Sequence, residues 1–214
     1  MQIIVIPVTP FEQNCSLLIC PETKKAAVVD PGGDIDKILT AIKQHDVVVE
    51  KILLTHGHMD HVGATEELAK ALNISIEGPH VGDKFWLDQL PMQGQMFGFP
   101  EIPPFAPQRW LTHQDTVTFG AQELQVLHTP GHTPGHIVFF NAQSALAWVG
   151  DVLFRGSIGR TDFPQSNHQD LLHSITTKLW PLGKNVSFIP GHGPMSTFAE
   201  ERQHNPFVAD QLFD

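Results

Sequence analysis

Ile52-Leu53-Leu54-Thr55-His56-Gly57-His58-Met59-Asp60-His61 runs from an apolar strand directly into four side chains of metal-ligand type. Residues two apart on a helix point in diverging directions, so His56 and His58 cannot share a helical face. They are predicted on a loop, bent at Gly57, with both rings aimed at one centre. Asp60 and His61 open the helix that follows and are offset enough to serve a second, neighbouring centre. Neutral imidazoles and carboxylates suit zinc, iron or manganese. The lack of thiolates nearby argues against a closed structural zinc knot.

The same pattern recurs at other strand ends. Ala26-Ala27-Val28-Val29 leads to Asp30, and residues 124–127 lead through His128-Thr129-Pro130-Gly131 to His132. Leu146-Ala147-Trp148-Val149-Gly150 leads to Asp151, and residues 186–189 lead through Pro190-Gly191 to His192. Buried strands end at the surface, so groups just past their ends can meet on one rim backed by a rigid sheet. Strands are expected at residues 3–8, 16–20, 26–29, 47–54, 74–77, 117–119, 124–127, 137–140, 146–149 and 186–189. One helix is expected from Asp34 as N-cap, with Ile35, Ile38, Leu39 and Ile42 at helical spacing. A second is expected over residues 62–72, ending at Asn73, and a third from Asn167 to just before Pro181. Residues 91–107, rich in Pro, Gly, Met and Phe and lacking periodicity, are expected to form a long loop. Strands interleaved with helices predict an α/β or α+β fold. The length of 214 residues suits one domain spanning 1–214.

Composition narrows the function. With 13 Lys and Arg against 23 Asp and Glu the net charge is −10, which disfavours nucleic acid and anionic membrane as partners. No apolar run approaches the roughly 18 to 20 residues that span a bilayer, and the opening residues read as a strand rather than a leader. The 2 cysteines, Cys15 and Cys20, fall on opposite faces of one strand-like segment and are expected as free thiols, which favours a cytoplasmic location.

Taken in order, Thr55-His56-Gly57-His58-Met59-Asp60-His61, Pro130-Gly131-His132-Thr133-Pro134-Gly135-His136, Gly150-Asp151 and Pro190-Gly191-His192-Gly193 resemble the motifs of the metallo-β-lactamase superfamily. Asp30 in Val29-Asp30-Pro31-Gly32 matches the first motif of that family. The resemblance implies a four-layer αββα sandwich with a binuclear site at one sheet edge. It assigns His56, His58 and His132 to one metal, and Asp60, His61 and His192 to the other, with Asp151 bridging. It further implies two divalent ions, zinc first with iron or manganese as alternatives, and a metal-bridging hydroxide that Asp60 orients as the catalytic group. Asp30 is expected to support the ligands from behind. His136 and His128 are expected in packing or supporting roles.

Within the superfamily, Gly150-Asp151-Val152-Leu153-Phe154, Gly159-Arg160, Ser196-Thr197-Phe198-Ala199-Glu200-Glu201 and Asn205-Pro206-Phe207 resemble glyoxalase II, the hydroxyacylglutathione hydrolases. That likeness implies hydrolysis of a small acyl thioester such as S-D-lactoylglutathione, with Arg160 holding a substrate carboxylate. Two departures point to the short bacterial glyoxalase II-like hydrolases. The sequence ends seven residues after Phe207, without the C-terminal helical glutathione-binding domain, and Asp162 stands where an aromatic partner of the tripeptide is expected. His61 after Asp60, and no Cys near Asp151, speak against β-lactam hydrolysis. Gly159-Arg160-Thr161-Asp162-Phe163 also resembles the mononuclear iron persulfide dioxygenases, where His56, His132 and Asp151 would hold iron. Lactone hydrolysis and a non-catalytic metal-binding role are the remaining alternatives. The expected partner is a small molecule, and the expected assembly is a monomer or small homo-oligomer.

Overall fold

The computed structural model describes residues 1–213. Strands β1 (Gln2–Val8), β2 (Gln13–Ile19), β3 (Lys25–Val29), β4 (Val48–Leu53) and β5 (Ser75–Glu77) form a first sheet in sequential order. A second sheet is built from β6 (Thr116–Phe119), β7 (Gln122–His128), β8 (Ile137–Asn141) and β9 (Leu146–Gly150). A short hairpin, β10 (Leu153–Phe154) and β11 (Ser157–Ile158), separates these from β12 (Ser187–Pro190) and β13 (Ser196–Thr197). The second sheet then runs β13-β12-β9-β8-β7-β6.

Side chains alternate across a strand, and that alternation sorts the apolar residues into three cores. Leu18, Ala27, Val29 and Leu53 of the first sheet face Phe119, Val126, Phe139 and Trp148 of the second. The neighbours Leu17, Ala26, Val28 and Ile52 turn the other way, onto Ile38, Ile42 and Leu68. These belong to helices α1 (Ile35–His45) and α3 (Thr65–Leu72), which come before and after the one-turn helix α2 (Met59–Val62). On the far face of the second sheet, Val138, Phe140, Ala147 and Phe188 pack on Leu171, Ile175, Leu179 and Phe198. Helix, sheet, sheet, helix is the expected four-layer sandwich.

Several expectations are corrected. The segment 91–107 is not all loop, because α4 (Lys84–Asp88) is followed by α5 (Leu90–Phe97). Pro91 sits in the first turn of α5, where its missing N–H costs nothing, while Leu90, Gln93 and Gly94 bury inward. Asp34 precedes α1 in a left-handed conformation and makes no cap bond; its Oδ2 instead accepts from Thr9 N at 3.1 Å and Lys37 Nζ at 2.8 Å. The helix expected over 62–72 divides at Gly63 and Ala64, where a Cβ on Gly63 would lie 2.5 Å from the Gly32 carbonyl oxygen. Asn167 does cap α6 (His168–Ser174), accepting from Gln169 N and Asp170 N, but the chain then continues as a π turn and a 3-10 turn. Helix α7 (Phe198–His204) closes the second outer layer. Cys15 and Cys20 are both free and buried. No helix among the described residues is long and apolar enough to cross a membrane.

Candidate metal centre

Parallel pairing brings the ligand-bearing strand ends to one edge. β3 and β4 are parallel, with Val29 opposite Leu53, so Asp30 and the His56 loop emerge side by side. β9 and β12 are likewise parallel, with Gly150 opposite Pro190, which sets Asp151 beside Gly191 and His192. The two sheets are pinned together at this edge by Asn14 N donating to Gly191 O at 2.7 Å and Ile137 N donating to Thr55 O at 2.8 Å. Gly191 is required for the close approach: a Cβ there would lie 2.0 Å from Asp151 Oδ1.

The seven expected ligands form two adjoining groups. His56 Nε2 lies 3.2 Å from His58 Nδ1, and His132 Nε2 lies 3.0 Å from the same atom. Asp60, His61 and His192 form the second group, with His192 Nε2 3.1 Å from Asp60 Oδ2. Asp151 stands between them: Oδ1 is 3.3 Å from His61 Nε2, while Oδ2 is 3.6 Å from His132 Nε2 and 3.7 Å from His192 Nε2. In four of the five histidines the nitrogen opposite the centre is engaged, which fixes the ring's orientation, while His58 Nε2 is buried without a partner. His132 Nδ1 donates to Arg160 O at 2.8 Å, and His192 Nδ1 donates to Phe11 O at 3.0 Å. His61 Nδ1 donates to Asp30 Oδ2 at 2.9 Å. The same carboxylate accepts from Thr55 N and Thr55 Oγ1, and Thr55 Oγ1 lies 3.0 Å from His56 Nδ1. Asp30 therefore fixes a ring in each group, one directly and one through Thr55; these tautomers follow from the hydrogen-bond network.

The residues fit a pair of cations. His61 Nε2 and Asp151 Oδ1 are buried with no hydrogen-bond partner. Three buried imidazole nitrogens converge within 4.8 Å of one another in the His56, His58, His132 group, a donor set that nitrogen-binding divalent metals complete. Electrostatics divide the groups. Burial drives the His56 imidazole well below its ordinary range, His58 down to about 3 and His132 downward, so all three are neutral ligands at pH 7. For His61, burial opposes the charge, but the Asp151 and Asp60 carboxylates outweigh it and hold the imidazolium well above its usual range. Burial likewise opposes charge on His192, and its bond to Asp60 raises it nonetheless. Asp60 and Asp151 remain ionised despite burial because these imidazoles face them.

The remaining expected residues take different places. His136 stays outside the ligand groups: its ring stacks on His56 at 4.7 Å, and Nε2 accepts from Asp151 N at 3.1 Å. His128 is turned away, stacked on His80 at 4.0 Å. Arg160 is exposed and grips Asp162 through Nε and an Nη atom at 2.9 and 2.7 Å, with its guanidinium 4.6 Å over Phe163. Its carbonyl, rather than its cation, supports His132.

Sequence reasoning missed Asp83, Gln93 and Phe163. Gln93 Oε1 accepts from Met59 N at 3.0 Å, inside the stretch expected as loop. Phe163 and Trp86 lie edge-on to His58, with centroids 5.0 and 4.5 Å away. Asp83 is wholly buried, and burial pushes its carboxyl up to about 7 against three donors that pull it down. A lone acid in a short turn carries no signal of such a position.

A family model for the metallo-β-lactamase superfamily matches residues 8–192. The hydroxyacylglutathione hydrolase GloC of Haemophilus influenzae is 44% identical over 209 residues, covering 97% of this chain and 98% of its own. The crystal structure of TTHA1623 in a di-iron-bound form is 34% identical with a TM-score of 0.87, covering 96% of this chain and 100% of that one. The crystal structure of the BLEG-1 B3 metallo-β-lactamase is 35% identical with a TM-score of 0.89, covering 97% of this chain and 99% of that one.

Proposed function

This chain belongs to the metallo-β-lactamase superfamily as a metallo-hydrolase, and we propose that it hydrolyses a small acyl thioester of the S-D-lactoylglutathione type. The observation that carries the reading is the junction of a neutral three-histidine group with a charged Asp60, His61, His192 group through Asp151. The 44% identical hydroxyacylglutathione hydrolase supports the choice of substrate.

Two divalent cations, zinc first, would lower the pKa of a shared water from about 15.7 towards neutrality and draw charge from the acyl oxygen. His56, His58 and His132 would hold one, and Asp60, His61 and His192 the other, with Asp151 touching both. Asp60 Oδ2 lies on the partly open side of the centre with His192 at 3.1 Å, placed to orient the attacking water. Asp30 and Thr55 keep the His56 and His61 rings from turning. Trp86 and Phe163 pack edge-on against His58. A thiolate leaves readily, since a thiol has a pKa near 8.5, so no further acid is needed.

The test is metal content of the purified protein, paired with a panel of one thioester, one lactone, glutathione persulfide and one β-lactam. The β-lactam is included because the B3 enzyme named above is 35% identical. Two metals per chain with the thioester giving the highest kcat/KM is the expected result. About one iron per chain with oxygen uptake on the persulfide would replace this reading with the dioxygenase one.

A further inference from the structure

Outside the ligand set, the turn at residues 80–83 ties together the two loops that carry the three-histidine group. Asp83 Oδ2 accepts from Gly57 N at 2.8 Å and from Thr133 Oγ1 at 2.8 Å, while Oδ1 accepts from Gly135 N at 2.5 Å. Gly57 lies between His56 and His58, and Thr133 follows His132 directly. The turn is held to the His132 loop by His80 N donating to Gly135 O at 3.1 Å, and that loop is braced from within by His128 Nε2 donating to Pro134 O at 2.9 Å. Little slack remains. A Cβ on Gly135 would lie 2.3 Å from Asp83 N, and one on Gly82 would lie 2.9 Å from Pro134 O. The hydrogen bonds of Asp83 go to Gly57, Thr133 and Gly135, whereas the rings of His61 and His192 are anchored elsewhere, by Asp30 and the Phe11 carbonyl.

We propose that Asp83 is a positioning residue that fixes the His56–His58 loop against the His132 loop. It thereby sets the metal affinity of the three-histidine group alone. The inference rests on the reading that this group binds a metal. A carboxylate suits the position because three donors converge on it. An amide would turn an N–H₂ towards one of them, and alanine would leave all three buried without an acceptor.

The experiment titrates metal-free protein with Co²⁺, following its visible bands, and with Zn²⁺ against a chromophoric chelator. The band abolished in His132→Ala identifies the ion of the three-histidine group. In Asp83→Asn that ion should bind roughly 10- to 100-fold more weakly with an altered band, while the other ion keeps its wild-type affinity. Thr133→Val, which removes one donor and keeps the carboxylate, should show a smaller loss at the same ion. It serves as the deciding variant if Asp83→Asn does not fold. Wild-type affinities in the folded variants, or equal losses at both ions, would overturn the role of Asp83. A wild-type chain that takes up no ion would overturn the metal reading, and this inference with it.

Discussion

Arg160 is where the resemblance and the structure pull apart. A cation held at this point suits a carboxylate-bearing substrate, yet the guanidinium already grips Asp162 at 2.7 and 2.9 Å. An exposed pair of this kind contributes little to stability and can exchange partners cheaply. An anionic substrate would therefore compete with Asp162 for the fork. Changing Arg160 to Ala should raise KM for an anionic thioester several-fold more than for a neutral one, with kcat little changed, and equal effects on both would remove Arg160 from the binding surface. At this scale the sequence was most informative about ligand types. Two histidines a residue apart, directly after an apolar run, fit neither face of a helix and so mark a loop that turns its rings inward. It was silent on Asp83 and Gln93, whose roles come from neighbours at least 26 residues away along the chain.

Among the elements, the expected strands all appear, most of them a residue or two longer. They were legible because each faces a packed layer on at least one side, which enforces apolar side chains. The two-residue strands Leu153–Phe154, Ser157–Ile158 and Ser196–Thr197 were not, since two residues carry no period. Helix α5 was hidden by Pro91, Gly94 and Gly98, residues that punctuate loops elsewhere. Gly98 in fact ends the helix at φ 72, and Gly94 packs closely enough that a Cβ would lie 3.0 Å from Pro100 O. The repeated pattern of a strand followed by a ligand type pointed to five strand ends meeting on one edge, but periodicity alone could not prove it. The convergence depends on the parallel pairs β3–β4 and β9–β12, and pairing is set by contacts between distant segments.

For the whole molecule, a charged cluster at one edge makes stability and metal binding oppose each other with pH. The imidazoles of His61 and His192 are raised, so in the metal-free protein their stabilisation is fully present below the unfolded value of about 6.5 and is lost as pH rises through the folded values. Asp60 and Asp151 are lowered, so theirs is present above about 3.9 and is lost as pH falls through the folded values. The neutral imidazoles of His56, His58 and His132 are lowered, so the unfolded chain gains protons there that the folded chain does not as pH falls below about 6.5. The metal-free chain should therefore melt highest near neutral pH and lower both towards pH 5 and towards pH 9. Zinc must displace the imidazole protons of the second group, so its affinity there should rise over the same alkaline range. Calorimetry at pH 7 in two buffers of different ionisation enthalpy should register proton release, and identical heats would contradict the assignment.

The central claim is that seven side chains close around two cations, and anomalous diffraction from crystals grown with excess Zn²⁺ reads it directly. Two peaks are predicted, one among His56, His58 and His132 and the other among Asp60, His61 and His192, with Asp151 reaching both. A map without peaks at this edge, or with the His192 ring turned away from the rest, would contradict it.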